Sequence, residues 1–222
     1  MNSQSGLALA PFIDAAIAVI SAHADELTAL DQAIGDGDHG INMQRGFTAI
    51  AAIRPELEAL AAGPALQKMG MTLVMKVGGA SGPLYGSFLM AMGKALPAEA
   101  GLADLGLADV AQALAAGVEA VKQRGKSDVG AKTMLDVLVP VSAALQQGLA
   151  EQLASSALVQ HIRVTAEQSL QATGPMLATK GRASFLGERS IGHLDPGARS
   201  SFLLIDAVCG CCDSHCSKQG DA

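Results

Sequence analysis

The sequence has very few aromatic residues: its 222 residues include no Trp, one Tyr and five Phe, together 3%. Half of the residues are nonetheless hydrophobic, so Ala, Leu, Met and Val must fill the core. Alanine is the strongest helix former, and leucine and methionine follow it closely. No stretch alternates between apolar and polar residues for long enough to predict a strand. The composition therefore predicts an all-α fold.

Basic charge and membrane-spanning segments are also lacking. The net charge of −6 and the pI of about 5.3 argue against a nucleic acid or an anionic membrane as partner, because both attract clustered Lys and Arg. The longest central stretch without charge, residues 77–93, contains several Gly and Pro83 and is a poor membrane span. Residues 1–13 lack the basic start of an export signal. We expect a soluble, cytoplasmic protein with no nucleic-acid or membrane partner.

Cysteine is absent from the first 208 residues, which excludes a disulfide framework in the body of the protein. One short segment cannot supply a closed zinc site, so a metal or redox role for the C-terminal thiols is the less favoured interpretation. We expect residues 1–208 to form one helical domain and residues 209–222 to form a disordered tail. That tail holds all the thiols of the chain: Cys209, Cys211, Cys212 and Cys216.

Apolar residues recur at helical spacing along most of the chain. Asp195 and Pro196 have the types expected at an N-cap and at the first helical position. Thr133 and Asp136 have the spacing of a capping box. One domain of helices packed side by side follows from this pattern. The predicted helices cover residues 9–30, 41–54, 64–76, 83–96, 107–124, 133–147, 151–172 and 196–208.

The strongest chemical signal is a run of three carboxylates, Asp31, Asp36 and Asp38, interleaved with glycines. Carboxylates held this close repel one another unless a cation compensates them. Hard oxygen ligands suit Mg²⁺ or Ca²⁺ rather than zinc. An EF-hand is excluded, because the twelfth position from Asp36 is Phe47 and that from Asp31 is Asn42. Helix caps and a solvated turn explain each Asp singly, but a magnesium site completed by phosphates explains all three.

A glycine-rich stretch, residues 78–83 (Gly-Gly-Ala-Ser-Gly-Pro), lies between two predicted helices. Backbone N–H groups at the start of the second helix could bind phosphate. The stretch is neither a Walker A loop nor a dinucleotide-binding loop, since it lacks the Gly-Lys-Ser/Thr sequence and no strand precedes it. A tight turn between helices is an equally good interpretation of this stretch alone.

Two later stretches, residues 124–136 and 180–197, combine glycines with basic residues. Arg182 and Arg189 could each neutralise phosphate oxygens, and a guanidinium can do so with two hydrogen bonds. Asp195 could bind a ribose hydroxyl or simply cap a helix. His193 is better interpreted as a structural histidine than as a catalytic base.

Taken together and in order, these stretches resemble the nucleotide-binding L subunit of dihydroxyacetone kinase and the equivalent C-terminal domain of single-chain dihydroxyacetone kinases. The resemblance covers residues 27–201. It implies a barrel of antiparallel helices with ADP or ATP bound at one end and two Mg²⁺ ions held by Asp31, Asp36 and Asp38. Arg182 is assigned the catalytic role, through charge neutralisation. The implied nucleotide contacts are His39, Gly40, Ile41, Asn42, Ala80, Ser81, Gly125, Met134, Arg182, Asp195, Pro196 and Gly197.

The resemblance also implies partners. In this family the sugar is held by a separate subunit, which a chain of 222 residues is too short to include. We therefore expect a sugar-binding subunit as partner and a phosphocarrier of the phosphotransferase system that recharges the bound ADP. An ATP-dependent kinase subunit for dihydroxyacetone or a related short-chain sugar is the alternative enzyme, and a nucleotide-sensing regulatory module the alternative outside enzymes. The sequence leaves the oligomeric state open, and a homodimer is compatible with it.

Overall fold

The computed structural model describes residues 8–220, and of residues 215–220 the backbone alone. The prediction about an export signal falls partly on residues 1–7, and part of the predicted tail on residues 221–222, so both lie partly outside the described residues. The described part is helical, with short 3-10 segments at Leu102–Asp104 and Arg182–Ser190. Its α-helices are α1 (Ala10–Ala22), α2 (Ala24–Ile34), α3 (His39–Ala52), α4 (Arg54–Glu58), α5 (Ala62–Lys76), α6 (Ser81–Ala95), α7 (Leu107–Gly125), α8 (Leu135–Ala150), α9 (Ser155–Ala172) and α10 (Pro196–Gly220).

Eight of the helices form a closed ring. Along the chain α1, α3, α5, α6, α7, α8, α9 and α10 each pack against the next, and α10 returns to pack against α1. The short connections between α5 and α6 and between α8 and α9 make these neighbours antiparallel. Helix α2 lies beside α3 and also touches α10. The predicted all-α, single-domain fold is confirmed.

The core inside the ring is mainly aliphatic. Leu27, Met43, Ile50 and Leu73 are fully buried in it, together with residues from α6, α7, α8 and α10. Helices α5 and α6 pack closely at Gly70, which faces the backbone of α6: a Cβ at this position would lie 2.6 Å from a carbonyl oxygen. Small residues at such a crossing let two helix backbones approach, which offsets the shortage of large aromatic side chains.

The N-terminal half differs from the predicted boundaries at two places. The helix predicted for residues 9–30 is two helices, because the backbone at His23 leaves the helical region (φ −109°, ψ 12°). The bend redirects α2, whose last turn carries Asp31. Helix α3 ends at Ala52, before Pro55 as predicted, but a short helix that was not predicted, α4, follows it. Pro55 occupies the first turn of α4, where its missing N–H costs no helical hydrogen bond.

The predicted disorder after Val208 is wrong for the part of the tail that the structure describes. Helix α10 continues to Gly220, and the side chain of Cys209 is only 5% exposed. Arg163 on α9 bonds Asp206 at 2.7 Å and Asp213 at 3.0 Å, one on each side of the predicted boundary. The physical reason is that a thiol packs as a small apolar side chain, so the buried stripe of α10 continues through Cys209. Within the described residues, no helix is long and apolar enough to cross a bilayer.

Candidate functional site

One end of the barrel carries a cavity of about 170 Å³ where all four predicted stretches meet. The end of α2, the starts of α3, α6, α8 and α10, and the 3-10 segment Arg182–Ser190 surround it. Helix starts expose unpaired N–H groups and favour anions. The predicted site residues that line the cavity are Asp31, Asp36, Asp38, His39, Ala80, Ser81, Met134, Arg182, Asp195, Pro196 and Gly197.

The three carboxylates form a compact cluster on one wall. One oxygen each of Asp31, Asp36 and Asp38 lies within 4.8 Å of the other two. Asp31 is buried, and its Oδ2 accepts hydrogen bonds from the N–H groups of Asp38 at 2.8 Å and His39 at 3.1 Å. Gly37 has φ +74°, a conformation that glycine adopts easily and that turns the loop back on itself. This donor set, all carboxylate oxygen and converging on one point, fits a hard cation such as Mg²⁺.

Arg182 faces the carboxylate cluster across the mouth of the cavity. Its Nε lies 2.8 Å from Oδ2 of Asp36. The Arg182 side chain is 69% exposed, so most of it is open to solvent or to a ligand. Among the described residues, this is the cation that the structure pairs with the acidic cluster.

His39 is held between two serines behind the carboxylate cluster. Its Nδ1 lies 2.9 Å from the hydroxyl of Ser81 and its Nε2 2.8 Å from that of Ser200. Burial lowers the pKa of His39 and so favours the neutral ring near pH 7. The nearby carboxylates of Asp31 and Asp38 oppose this shift. Tyr85 extends the network, with its hydroxyl 2.8 Å from Ser200 and 3.0 Å from Ser201. Burial raises the pKa of Tyr85 to about 12. These neutral groups join α3, α6 and α10 around the site.

Asp195 caps α10 on the opposite wall. Its Oδ2 accepts the N–H of Ala198 at 2.6 Å, which confirms the predicted N-cap. Burial raises the pKa of Asp195 to about 7; the hydrogen bond from Ala198 opposes that rise, and the carboxylate of Asp136 adds to it. Met134 is buried next to this cap, and a Cβ at Gly197 would lie 3.5 Å from it.

The capping box predicted before α8 is half formed. The carboxylate of Asp136 accepts the N–H of Thr133 at 2.7 Å and also that of Gly130 at 2.6 Å. The hydroxyl of Thr133 accepts from Leu135 at 3.2 Å instead of from Asp136. The carboxylate therefore holds the loop in front of α8 rather than the helix end alone.

A protein-family model described as the DAK2 domain matches residues 33–210. The chain belongs to this family. The family resemblance predicted from the four stretches is confirmed. Over 182 residues this DAK2 chain is 50% identical to the PEP-dependent dihydroxyacetone kinase 1, ADP-binding subunit DhaL, of Listeria innocua; the match covers 82% of this chain and 84% of that protein. Over 190 residues it is 42% identical to the corresponding DhaL subunit of Escherichia coli, covering 86% and 89%.

A solved structure has the same architecture. The dihydroxyacetone kinase from C. freundii, in complex with AMP-PNP and Mg²⁺, matches with a TM-score of 0.70 at 25% sequence identity. The match covers 95% of the DAK2 chain and 36% of that kinase, so the chain corresponds to about a third of it.

Four of the predicted nucleotide contacts do not line the cavity. Gly40 is buried against the carbonyl of Ala24, and Asn42 lies beside Gly78. Ile41 is more than half exposed at the start of α3, and Gly125 is exposed at the end of α7. These four residues therefore lie outside the cavity lining, and their contact with a nucleotide stays a prediction.

The cavity also has lining residues that the sequence patterns did not assign. They are Ile34, Gly79, Leu84, Tyr85, Lys132, Thr133, Lys180, Gly181 and Ala183. Most belong to the recognised stretches, in which other residues were singled out. Tyr85 could have been found as the one tyrosine of the chain, placed in the first turn after the glycine-rich stretch.

Proposed function

We propose that this chain is the ADP-binding subunit of a dihydroxyacetone kinase, in which a phosphoryl group passes through the bound nucleotide to dihydroxyacetone on a partner subunit. The observation that carries the proposal is the carboxylate cluster opposite Arg182, at the helix starts where a phosphate chain would bind. Support also comes from the high identity, over most of both chains, to proteins named as ADP-binding subunits of PEP-dependent dihydroxyacetone kinases.

Asp31, Asp36 and Asp38 would hold two Mg²⁺ ions. The metal would neutralise phosphate charge and fix the orientation of the phosphates. The role of the protein is to keep three carboxylates together in spite of their repulsion. The two N–H groups that bond Asp31 supply part of that stabilisation in advance.

The nucleotide would lie along the helix starts. The N–H groups at Ala80 and Ser81 would face its phosphates, and those of Gly40 and Ile41 would do the same at the start of α3. His39 and Asn42 would contact the nucleotide through their side chains, because their own N–H groups already bond Asp31 and Asp38. Met134 would pack on the adenine, a use for a soft, adaptable side chain. We assign a ribose contact to Asp195, with Pro196, Gly197 and Gly125 nearby. Arg182 would neutralise charge on the transferring phosphoryl group, so we propose it as the catalytic residue.

The partners in this proposal are a sugar-binding subunit and a phosphocarrier. The relatives named above are PEP-dependent, which favours a phosphocarrier over free ATP as donor. We also propose a cytoplasmic location, because bound ADP has to be recharged from phosphoryl donors of the cell. Size measurement of the assembled proteins distinguishes one copy of this chain from a homodimer.

The test combines the purified chain with its sugar-binding partner, dihydroxyacetone and Mg²⁺, and supplies either ATP or the phosphorylated phosphocarrier. We expect multiple turnovers with the phosphocarrier and slow exchange of bound ADP for free ATP. Rapid multiple turnover on ATP alone would reject the cofactor role and favour the ATP-dependent kinase. Nucleotide binding without phosphoryl transfer under either condition would favour a nucleotide-sensing module instead.

A further inference from the structure

Lys132 is buried in the wall of the cavity. Its side chain is 1% exposed, and it is among the largest fully buried side chains in the described part of the chain. A lysine beside a phosphate site would ordinarily be assigned to phosphate binding. The surroundings of its ammonium group argue for a different role.

The ammonium group of Lys132 is fully used within the protein. Its Nζ donates to the backbone carbonyls of Thr173 at 2.8 Å, Gly174 at 3.1 Å and Met176 at 3.1 Å. A lysine ammonium has three N–H bonds. All three are therefore directed at the turn that follows α9, and none is left for a phosphate oxygen.

The turn held by Lys132 is the base of the segment that carries Arg182. Gly174 accepts the N–H of Gly192, which closes residues 174–192 into a loop. The hydroxyl of Thr173 also accepts a hydrogen bond from the N–H of Asp195 at 3.2 Å. One ammonium group thus fixes the point from which both the Arg182 segment and the Asp195 cap start.

A second hydrogen bond joins the loop of residues 174–192 to the segment that precedes α8. The N–H of Thr179 donates to the carbonyl of Ala131 at 3.2 Å, next to Lys132. The backbone at Lys132 itself has φ +60°, a conformation that costs energy for a residue with a side chain. Lys126 shares this feature with φ 48°, but its side chain is exposed and bonds no carbonyl in the described part of the chain. It is a matched control.

We propose that Lys132 is a positioning residue: its ammonium group clamps the turn at residues 173–176 and so places Arg182 and Asp195 at the nucleotide. The positioning of Arg182 rests on the proposed function, but the clamp itself does not. The positive charge of Lys132 also lowers the pKa of the buried Asp195, in opposition to burial. The clamp therefore offsets part of the free-energy cost of burying Asp195 as a charged carboxylate.

Amide hydrogen exchange of the nucleotide-free protein tests the clamp. In Lys132→Met we expect exchange at Thr179, Gly192 and Asp195 to accelerate by about tenfold or more, because hydrogen bonds from a charged donor are lost. Lys126→Met should leave these three amides unchanged. Unchanged exchange in Lys132→Met contradicts the clamp. If that variant does not fold, Lys132→Gln, which keeps two donors without the charge, takes its place under the same criterion.

Single-turnover phosphoryl transfer tests the positioning role. We expect Lys132→Met to slow transfer by about 10²-fold, since small displacements of a catalytic group are costly. Lys132 would affect transfer through Arg182, whereas the ribose contact of Asp195 would affect nucleotide binding. With saturating nucleotide, the same change in an Arg182→Ala background should therefore cost less than about twofold. Lys132→Arg should not restore transfer, because the N–H bonds of a planar guanidinium diverge and cannot all be directed at three carbonyls that converge on one point.

Fully additive losses, or wild-type transfer by Lys132→Arg, contradict the positioning role. A selective loss of Mg·ADP over Mg·AMP affinity in Lys132→Met would make Lys132 a phosphate ligand and also overturn the proposal. If the wild-type protein binds no Mg·ADP at all, the proposed function fails, while the exchange result still decides whether the clamp exists.

Discussion

Arg182 and Asp36 are joined across the mouth of the cavity by an ion pair of 2.8 Å between Nε and Oδ2. With side chains 69% and 38% exposed, such a pair contributes only about 0–1 kcal/mol to stability. Its importance is positional. It shows that the 3-10 segment brings a guanidinium within reach of whatever the carboxylate cluster binds.

Arg182→Ala is expected to impair phosphoryl transfer more than ADP binding. A guanidinium that neutralises charge on the transferring group can be worth roughly 10³-fold or more in rate. Single-turnover transfer and calorimetric Mg·ADP affinity are the two measurements. Arg189→Ala, on the same segment but outside the cavity lining, is the control. Lost ADP affinity with intact transfer would reduce Arg182 to an anchor for bound nucleotide.

Asp36→Asn and Asp38→Asn are each expected to abolish retention of Mg·ADP with the helical fold intact. The carboxylates repel one another, so loss of one charge should not destabilise the nucleotide-free protein. Calorimetry and circular dichroism measure the two effects. Asp25→Asn, exposed on α2, should bind as the wild type does. Unchanged Mg·ADP affinity in both cluster variants would refute the metal assignment.

The free energy of unfolding of Asp195→Asn, relative to that of the wild-type protein, is expected to increase as pH rises. The pKa of Asp195 is about 7 in the fold against an ordinary value of 3.8. Between these values the folded state keeps a proton that the unfolded state has lost, so this group lowers the wild-type stability as pH rises. Asparagine retains the N-cap without the charge.

Urea unfolding of the nucleotide-free protein in EDTA should therefore show a growing advantage for Asp195→Asn. Between pH 5 and pH 8 the gain is about 2.6 kcal/mol, at about 1.4 kcal/mol per pKa unit. A difference between the two proteins that does not change with pH would mean that Asp195 is ionised in the fold throughout this range.

The sequence predicted the helices well where breakers and caps stand at their ends. Pro64 and Pro83 lie in the first turns of α5 and α6, and Asp195 caps α10, all near the predicted positions. The bend at His23 could not be predicted, because the sequence there contains no breaker. The continuation of α10 was missed because a cluster of cysteines was interpreted as a tail, although thiols bury readily.

The site was predictable as a set of motifs but not as a set of contacts. Local spacing brought Asp31, Asp36 and Asp38 together, since all three lie within one helix end and its loop. The role of Lys132 depends on carbonyls some forty residues along the chain. Such a contact is set by the packing of α8 and α9 and leaves no local pattern in the sequence.

Truncation after Val208 is expected to lower the free energy of unfolding by roughly 1–3 kcal/mol, the range for loss of one buried side chain with its neighbours. It removes the buried Cys209 and the bond from Arg163 to Asp213. A chain that ends at Ser214 keeps both and is the control. Equal urea midpoints for the two truncated proteins would show that residues 209–214 add nothing to stability.

The central claim is that this site retains ADP through magnesium. The most direct measurement is native mass spectrometry with metal analysis of protein purified without added nucleotide, repeated after dialysis against EDTA. We expect ADP and Mg²⁺ to co-purify with the chain and EDTA to release both, because the carboxylates of Asp31, Asp36 and Asp38 hold the phosphates only through the metal. ADP that stays bound after all Mg²⁺ is removed, or protein that neither carries nor takes up Mg·ADP, would contradict it.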